Sequence, residues 1–437
     1  MGLILCTPKA SPGYTLMAPE TNTTTYLIDN FGRKVHSWQN SRPPAQTAYL
    51  LPNGNLLRPT RDKIDWPSFA DYKGRRVQIL AWDGSLVWDY LYSDGKKYLQ
   101  HHDVAPLPNG NVLLLAWERK SKEDAIAAGR DPSKIPFPGE IWANHVVEIQ
   151  PTGLTTGKVV WKWSIWDHLV QEHDPAKDNY GKVADHPQLL NINSTTANFD
   201  FNHANSIHYN AALDQIILSY LSQSELIIID HSTTTAEAAG HSGGKGGKGG
   251  DILYRWGNPV TYGAGDATQQ ALWGLHDAHW IDPGLPGAGN ILVFDNGLFR
   301  PQGNFATVVE IKLPISSATG KYDYTKGAPF GPAAPTWTYK SPADLPSQIV
   351  SGADRMPNDN TLIASGEWGT LLEVTRGGEI VWKYINPVIE TGPLKQGQKI
   401  LRDKPAAGNM LFKVRRYAPQ YPGLVGKDLT PKGTIEG

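Results

Sequence analysis

The sequence has 437 residues, a formal net charge of −1 and no stripe of Lys and Arg, so a nucleic-acid partner is not expected. No run of about 18 apolar residues predicts a transmembrane segment, and the single cysteine, Cys6, excludes an internal disulfide. The start, MGLILC, is too short for a signal peptide. The compartment is therefore left open: periplasmic or secreted if an export signal was removed, otherwise cytoplasmic.

A hairpin whose second β run ends in tryptophan recurs six times along the chain. Its copies close on Trp38, Trp88, Trp161, Trp256, Trp337 and Trp382. One such hairpin leaves a sheet face exposed, and stacking the copies around an axis buries those faces. The repeat therefore predicts a radial array.

A second hairpin precedes most of the first ones. It is marked by an Asn-Gly type turn between apolar runs, at 51–55, 107–111, 285–290 and 356–360, with a degenerate copy at 212–219. Two hairpins make four strands, which is one propeller blade. We therefore predict an all-β fold, a six-bladed β-propeller in one domain over 1–437. The missing inner pair is expected from the termini, with 14–19 pairing with 409–417.

Three insertions interrupt the strand pattern. Segment 118–140 predicts a short helix capped by Ser121, and 164–193 is expected to begin as a helix and continue as a loop. Because segments 118–140 and 164–193 both follow units with histidine motifs, these two insertions are interpreted as lids over a site. The Gly- and Lys-rich segment 231–250 is interpreted as a solvated linker, with an anion cradle as the alternative.

Histidines sit in register before the inner turns of three consecutive units. The motifs are LQHHDVAPLPNGN with His101 and His102, FDFNHANSIHYN with His203, Asn205 and His208, and GLHDAHWI with His276 and His279. The next unit has Arg355 at this place. The first strand of each blade lines the central channel, so we predict an axial pocket.

Strand alternation limits which of these side chains share that pocket. Successive residues of a strand point to opposite faces, so only one of His101 and His102 should face the channel. The same rule places His276 and His279 on opposite faces. It also turns His208 away from His203 unless a bulge intervenes.

Two chemistries fit clustered neutral imidazoles. Three histidines can hold zinc or copper, or one histidine can accept a transferred group while the others stabilise the developing charge. Spacing does not choose between them. The companions Asn205 and Arg355 favour an oxyanion ligand such as sulfate or phosphate.

Several blocks resemble the bacterial arylsulfate sulfotransferase family. They are HHDVAPLPNGNVLLL, the His203-x-Asn205 motif, GLHDAHWIDPGLPGAGNILVFDNG, SGADRMPNDNTLI, GEIVWKYINP, DILYRWGNP and RRYAPQYPGL, and the resemblance covers 13–424. It implies a six-bladed propeller that moves a sulfuryl group from a phenolic sulfate to a phenol through a sulfated histidine. It implies no nucleotide donor and no cofactor, only a small aromatic substrate.

The resemblance also implies residue roles. The histidine that becomes sulfated matches His276, and its companions match His203 and Asn205. The histidine of the HHD block matches His101 or His102, of which we prefer His102.

One departure bears on the reaction. The family has an arginine on the strand after the His-x-Asn block, where this chain has Leu221 beside Tyr220. Leucine offers a sulfuryl oxygen no donor, and that loss costs several kcal/mol of transition-state stabilisation, roughly. Arg355 is the candidate replacement. The family's separate N-terminal sandwich domain is also absent from this sequence.

Three functions remain open from the sequence. The first is sulfotransfer with His276 as nucleophile and with His102, His203 and Asn205 holding the sulfuryl oxygens. The second is changed chemistry, with the axial histidines as a metal or acid-base site for an aromatic or apolar substrate. The third is a non-catalytic ligand-binding propeller. The predicted substrate-binding residues are Tyr220, Leu221, His101 and His279.

Overall fold

The computed structural model describes residues 1–62, 74–196, 198–316, 319–340, 345–400 and 408–437. Within them the strands form six antiparallel blades of at least four strands each, which confirms the predicted six-bladed propeller. No helix in these ranges is long and apolar enough to cross a membrane.

Each blade is read from the axis outwards, and its strands are as follows. Blade 1 has β29 (Arg415–Tyr417), β2 (Tyr14–Met17), β3 (Thr24–Asp29) and β4 (Lys34–Gln39). Blade 2 has β5 (Tyr49–Leu50), β6 (Leu56–Arg61), β7 (Arg75–Leu80) and β8 (Leu86–Leu91). Blade 3 has β9 (Tyr98–Pro106), β10 (Val112–Ser121), β11 (Glu140–Pro151) and β12 (Gly157–Ser164).

The second half of the ring follows the same order. Blade 4 has β15 (Ala204–Asn210), β16 (Gln215–Tyr220), β17 (Glu225–Asp230) and β18 (Tyr254–Trp256). Blade 5 has β19 (Leu275–Trp280), β20 (Ile291–Asp295), β21 (Thr307–Ile311) and β22 (Trp337–Lys340). Blade 6 has β23 (Gly352–Arg355), β24 (Thr361–Ser365), β25 (Thr370–Val374), β26 (Ile380–Ile385) and, outermost, β1 (Gly2–Cys6).

Blade 1 is completed by a strand from the C-terminal part of the chain. The C-terminal strand β29 pairs with β2 through Tyr14↔Tyr417, Thr15↔Arg416 and Leu16↔Arg415. This is the pairing expected of segments 14–19 and 409–417. It makes the last strand of the chain the innermost strand of the first blade.

The tryptophan repeat has a physical cause in the spaces between blades. Each repeat tryptophan lies on the fourth strand of its blade, counted from the axis, and donates its indole N–H to an oxygen of the next blade. The pairs are Trp38 with Ala81, Trp88 with Thr156, Trp161 with Thr233, Trp256 with Pro332, Trp337 with Arg376 and Trp382 with Asn30, at 2.7 to 3.1 Å. The last pair closes the ring. One hydrophobic cluster also fills each of the six interblade spaces. These side chains therefore satisfy their own polar atom while burying a large apolar ring.

The insertions are more ordered than the sequence suggested. The helix α1 (Lys122–Ala127) begins at Ser121 with the expected capping box to Asp124. The predicted helix at the start of 164–193 is wrong, because this segment begins with a 3-10 turn (Ile165–Asp167). It continues with the short parallel pair β13 (Leu169–Val170) and β14 (Leu190–Asn191), between which lies a second 3-10 turn (Val183–Asp185).

The glycine-rich segment is a folded loop. It contains α2 (Thr235–Ala238), and the amides of Gly249 and Gly250 donate to the carbonyls of Gly243 and Gly240. A further two-stranded hairpin, β27 (Val388–Ile389) and β28 (Gly392–Pro393), follows blade 6.

Candidate active site

The inner strands of blades 3, 4 and 5 share one irregularity. Each shifts register against its neighbour at the histidine motif, and each has a non-glycine residue of positive φ there: His102 (50°), His203 (45°) and Asp277 (55°). A bulge of this kind breaks the alternation of side chains along a strand. The predicted separation of His101 and His102 onto opposite faces is therefore wrong, since their Nδ1 atoms lie 2.8 Å apart. Which of the two faces the channel stays a prediction.

The orientation of these two rings is set by Asn144. The amide oxygen of Asn144 accepts from the backbone N–H of Ala204 at 3.2 Å, which turns its amide nitrogen toward Nε2 of His101 at 3.0 Å. His101 also stacks on Trp117, with ring centroids 3.9 Å apart. Both histidines are buried, and His101 supports His102 from behind.

His203 is the most open of the predicted histidines. Its ring centroid lies 5.0 Å from that of His102, and its Nδ1 lies 2.8 Å from Oδ2 of Asp200. The His203 side chain is 22% exposed, whereas His102 and His276 are 1% and 3% exposed. Solvent therefore reaches this group of residues beside His203.

His276 is fixed by a partner that the sequence did not single out. Its Nδ1 lies 2.7 Å from Oδ1 of Asn296, and the Asn296 amide nitrogen donates to the carbonyls of Ser347 and Val350 at 3.2 and 3.0 Å. The ring of Phe412 meets the His276 ring edge-on at 5.6 Å. Asn296 lies in the FDNG turn that ends β20, so its position next to a functional strand was the available signal.

Asn205 acts on the backbone of the neighbouring blade. Its amide nitrogen donates to the carbonyl of Leu275, the residue before His276, at 2.7 Å. The contact joins blade 4 to blade 5 at the point where His276 begins its strand. That Asn205 also holds a sulfuryl oxygen stays a prediction.

A buried charge network lies between the histidine motifs. Lys413 Nζ contacts Asp103 Oδ2 at 2.8 Å and Asp277 Oδ1 at 2.9 Å, and Arg415 contacts the same Asp277 oxygen at 3.0 Å. The Tyr49 hydroxyl donates to the other oxygen of Asp103 at 2.7 Å. Asp103 follows His102 and Asp277 follows His276, so one ammonium group joins the two motifs.

The charges of this network stabilise one another. Burial alone would raise the pKa of Asp277, but Arg415 and Lys413 hold that pKa well below its usual range. Burial likewise opposes the charge on Lys413, but Asp103 and Asp277 raise the pKa of its ammonium group. The sequence analysis missed Lys413 and Arg415, although both lie on one face of the segment expected to close the ring at the axis.

Arg355 does not join the histidines. Its guanidinium donates to Glu310 Oε2 at 2.7 Å and to Asp359 Oδ1 at 3.0 Å, and it lies over the ring of Trp337. These contacts tie blade 5 to blade 6, and the residue borders the other end of the axis. The placement of Arg355 in the axial histidine pocket was wrong, because its guanidinium pairs with the carboxylate of Glu310 in the preceding blade.

Tyr220 and Leu221 occupy different environments. Tyr220 is fully buried in the hydrophobic layer between blades 3 and 4. The backbone N–H of Leu221 donates to the carbonyl of His203 at 3.2 Å, so Leu221 adjoins the histidine pocket. Tyr220 pairs with Ala204, which lies between His203 and Asn205, so both residues adjoin the His203 motif through their backbones.

The axis has a second end, where the inner strands finish. A cavity of about 530 Å³ opens there, bordered by side chains from all six blades, among them Tyr49, Leu107, His208, Asp282, Asp354 and Arg415. His208 and His279 lie close together near this end, with ring centroids 5.7 Å apart, and His279 Nδ1 donates to the carbonyl of Asp277. His208 was predicted to point away from His203 and His279 to lie opposite His276, and these two histidines lie beside each other.

These two histidines predict a pH dependence of stability. Burial lowers the pKa of His208 to about 3 and that of His279 to about 4, whereas an unfolded chain protonates near 6.5. The unfolded state thus binds more protons as the pH falls from about 6.5 to 4. We expect the free energy of unfolding to drop over that window by on the order of 3 kcal/mol per histidine.

Urea unfolding at a series of pH values measures this drop. His279→Asn keeps a donor for the Asp277 carbonyl and removes one titrating ring, so its stability should fall less steeply. Buried Asp354 and Asp295, whose pKa values are raised to about 7 and about 6, act in the opposite direction in both proteins. A His279→Asn variant whose stability falls as steeply as that of the wild type would therefore contradict the prediction.

The family described as Arylsulfotransferase (ASST) matches residues 14–396 of the chain. No curated protein matches this chain. Among solved structures, a protein of unknown function from Bacteroides caccae has 11% identity over 93% of this chain and 99% of its own, with a TM-score of 0.46. The periplasmic gluconolactonase PpgL from Pseudomonas aeruginosa has the same identity and coverage with a TM-score of 0.45. The family match covers most of the chain and every histidine of the axial motifs, and the chain therefore belongs to the arylsulfotransferase family.

Proposed function

We propose that the protein transfers a sulfuryl group from a phenolic sulfate to a phenolic acceptor through a sulfated His276. Family membership supports a sulfuryl transferase in general terms. The observation that carries the histidine route is the hydrogen bond between His276 and Asn296.

Asn296 selects the reactive form of His276. Its amide nitrogen is committed to two backbone carbonyls, so its oxygen faces the imidazole and must accept from Nδ1–H. A neutral ring that carries its proton on Nδ1 has its lone pair on Nε2. That lone pair is what attack on sulfur requires.

The reaction then proceeds in two displacements. Nε2 of His276 attacks the sulfur, an N–S bond forms, and the S–O bond to the aryl group breaks with its electron pair leaving on the phenolate. The phenolate takes up a proton and departs as a phenol. A deprotonated acceptor phenol next attacks the sulfur, an O–S bond forms, and the N–S electron pair returns to Nε2.

His203 is suited to moving the protons. Its Nδ1 contacts Asp200, so a protonated His203 keeps one N–H on that carboxylate and offers the other to the leaving oxygen. Its exposure supports a position on the route by which the phenols would enter and leave. The same ring can take the proton from the acceptor in the second step.

His102 is suited to hold a sulfuryl oxygen. Asn144 donates to Nε2 of His101, so His101 carries its proton on Nδ1 and donates to Nδ1 of His102. That relay leaves the His102 proton on Nε2, where it can donate to an anion. Preorganised donors of this kind stabilise the charge of the transition state.

Phenol release with and without an acceptor tests the proposal. A chromogenic phenolic sulfate without acceptor should give a burst of about one phenol per chain, as expected for a covalent intermediate. A second phenol should then restore turnover and become sulfated. Absence of any burst, together with near-stoichiometric copper or zinc bound by the axial histidines, would favour the changed-chemistry alternative instead.

Asn296 is predicted to act as a positioning residue. Asn296→Ala should lower kcat by about 10- to 10³-fold, because His276 then loses the acceptor that holds its proton on Nδ1. KM should stay nearly unchanged, since Asn296 touches no substrate. Asn296→Asp keeps an acceptor and should retain more activity; equal losses in both variants, with lowered thermal stability, would indicate a purely structural role.

Leu221→Arg is predicted to increase sulfotransfer. Leu221 adjoins His203 through its backbone, so a guanidinium there can add a charged hydrogen bond to a sulfuryl oxygen. Such a bond is worth about 1.5–3 kcal/mol, or roughly 10- to 100-fold in rate if it forms in the transition state. Leu221→Met, of similar length but without charge, is the matched control and should give no gain. A Leu221→Arg rate at or below the control would contradict the prediction.

A further inference from the structure

A second group of histidines lies away from the axis, where the 164–193 insertion meets the glycine-rich loop. His168 comes from the insertion, and His241 and Asp251 come from the loop before β18. The Nδ1 atoms of His168 and His241 lie 2.9 and 2.7 Å from the same oxygen of Asp251. Among the described residues these three side chains place their ligand atoms within 4.8 Å of one another.

The tautomer of His168 is fixed by the backbone. Its Nε2 lies 2.9 Å from the carbonyl oxygen of Ala238, so Nε2 carries the proton and donates. Nδ1 then faces a carboxylate oxygen of Asp251 at 2.9 Å, either as the N–H of an imidazolium or, in the neutral ring, as a lone pair that requires a cation between the two atoms. A histidine that ligates a metal is commonly oriented in this way, by donating its other N–H to a backbone carbonyl.

The surroundings hold His168 and Asp251 rigidly. His168 is fully buried and stacks on Trp163, whose indole N–H donates to the carbonyl of Gly250, next to Asp251, at 2.7 Å. A Cβ at position 250 would collide with the Ala238 carbonyl and the His168 ring, so only glycine fits there. Two of the three ligand atoms are therefore preorganised.

His241 forms the open side of the group. Its side chain is 62% exposed, and a cavity of about 340 Å³ adjoins it, bordered by Trp166 and Tyr180 of the insertion. Two imidazole nitrogens and one carboxylate oxygen are ligands that Zn²⁺ prefers, and three protein ligands leave a fourth tetrahedral position. Here that position would face solvent or the cavity.

We propose that His168 Nδ1, His241 Nδ1 and Asp251 bind a divalent transition-metal ion of the zinc type, with water in the fourth position. The ion links the insertion between blades 3 and 4 to the glycine-rich loop. This site is separate from the axial histidines, and its existence does not depend on the proposed sulfotransfer.

Metal binding to the full-length protein tests the proposal. After chelator treatment and dialysis, titration with Zn²⁺ against a chromophoric chelator should give one tight site per chain and a rise in thermal stability. His241→Ala should weaken that affinity by at least about 100-fold, because even partners outside the coordination shell contribute about 10- to 100-fold. It should also remove the thermal shift. Because His241 is exposed, His241→Ala should fold as the wild type does, and circular dichroism checks this.

Two controls locate the ion. His173→Ala removes an exposed histidine of the same insertion and should bind Zn²⁺ as the wild type does. With Co²⁺ in place of Zn²⁺, the visible absorption of the bound ion should disappear in His241→Ala and Asp251→Asn. A wild type without stoichiometric binding overturns the proposal, and so does binding that survives His241→Ala but is lost in His203→Ala.

Discussion

Replacing His276 with alanine should lower phenol release from a phenolic sulfate by more than about 10³-fold, since removing a nucleophile eliminates the covalent route. It should also abolish the sulfate label on the peptide that contains position 276. The reason is local: Asn296 gives this imidazole a lone pair on Nε2, and Asp277 beside it is anchored by Lys413 and Arg415. Single-turnover kinetics combined with peptide mass spectrometry measure both effects.

His173→Ala is the matched control, because it removes an exposed histidine that has no part in the axial site. Its burst and its label should equal those of the wild type. A His276→Ala variant that still releases phenol and carries sulfate on His203 or His102 would show that the nucleophile was assigned to the wrong ring. Unlabelled protein with undiminished turnover would instead point to direct transfer between the two phenols.

The blade count could be predicted because it depends on local patterns. Each repeat unit contains its own turn residues. Each closing tryptophan packs between two blades and donates its indole N–H to the next blade. Trp38, for example, fills the space between blades 1 and 2 and donates to Ala81. The turn residues and the closing tryptophans can both be recognised without knowing which distant residues are in contact.

The strand bulges were not predictable in the same way. His102, His203 and Asp277 adopt positive φ without being glycine. Histidine and aspartate are enriched at positive φ, but most of them adopt negative φ, so their presence alone does not mark the break in alternation. The inner strands of blades 3, 4 and 5 are regular before and after the bulge, and side chains alternate between faces only within those regular parts. That is why His101 and His102 meet although alternation predicts opposite faces for them.

The charge network was missed for a different reason. Lys413 contacts Asp103 across 310 positions of sequence, and only closure of the ring through β29 brings the two together. Arg355 shows the opposite error, since its position in the repeat suggested the axis but Glu310 of the neighbouring blade binds it. Register in a repeat places a Cα reliably, whereas the direction of a long charged side chain depends on the nearest opposite charge.

Lys413→Met should destabilise the protein by about 3–5 kcal/mol, the usual cost of leaving one partner of a buried ion pair uncompensated. Lys413 is 4% exposed at its side chain and Asp103 is fully buried, so water cannot replace the lost ammonium group. Asp277 keeps Arg415 as a partner, so the loss falls mainly on Asp103. Urea unfolding at pH 7 measures the change.

The double variant Lys413→Met with Asp103→Asn separates charge from shape. Asparagine removes the unpaired charge and still offers an oxygen to Tyr49 or to the backbone N–H groups of Val104 and Ile207, which Asp103 binds in the wild type. Replacing both members of a buried ion pair is often close to neutral, so the double variant should recover most of the stability lost in Lys413→Met. If it stays as unstable as the single variant, the lysine stem and not its charge supports the axis. In that case the link between the His102 and His276 motifs through one ammonium group would have to be abandoned.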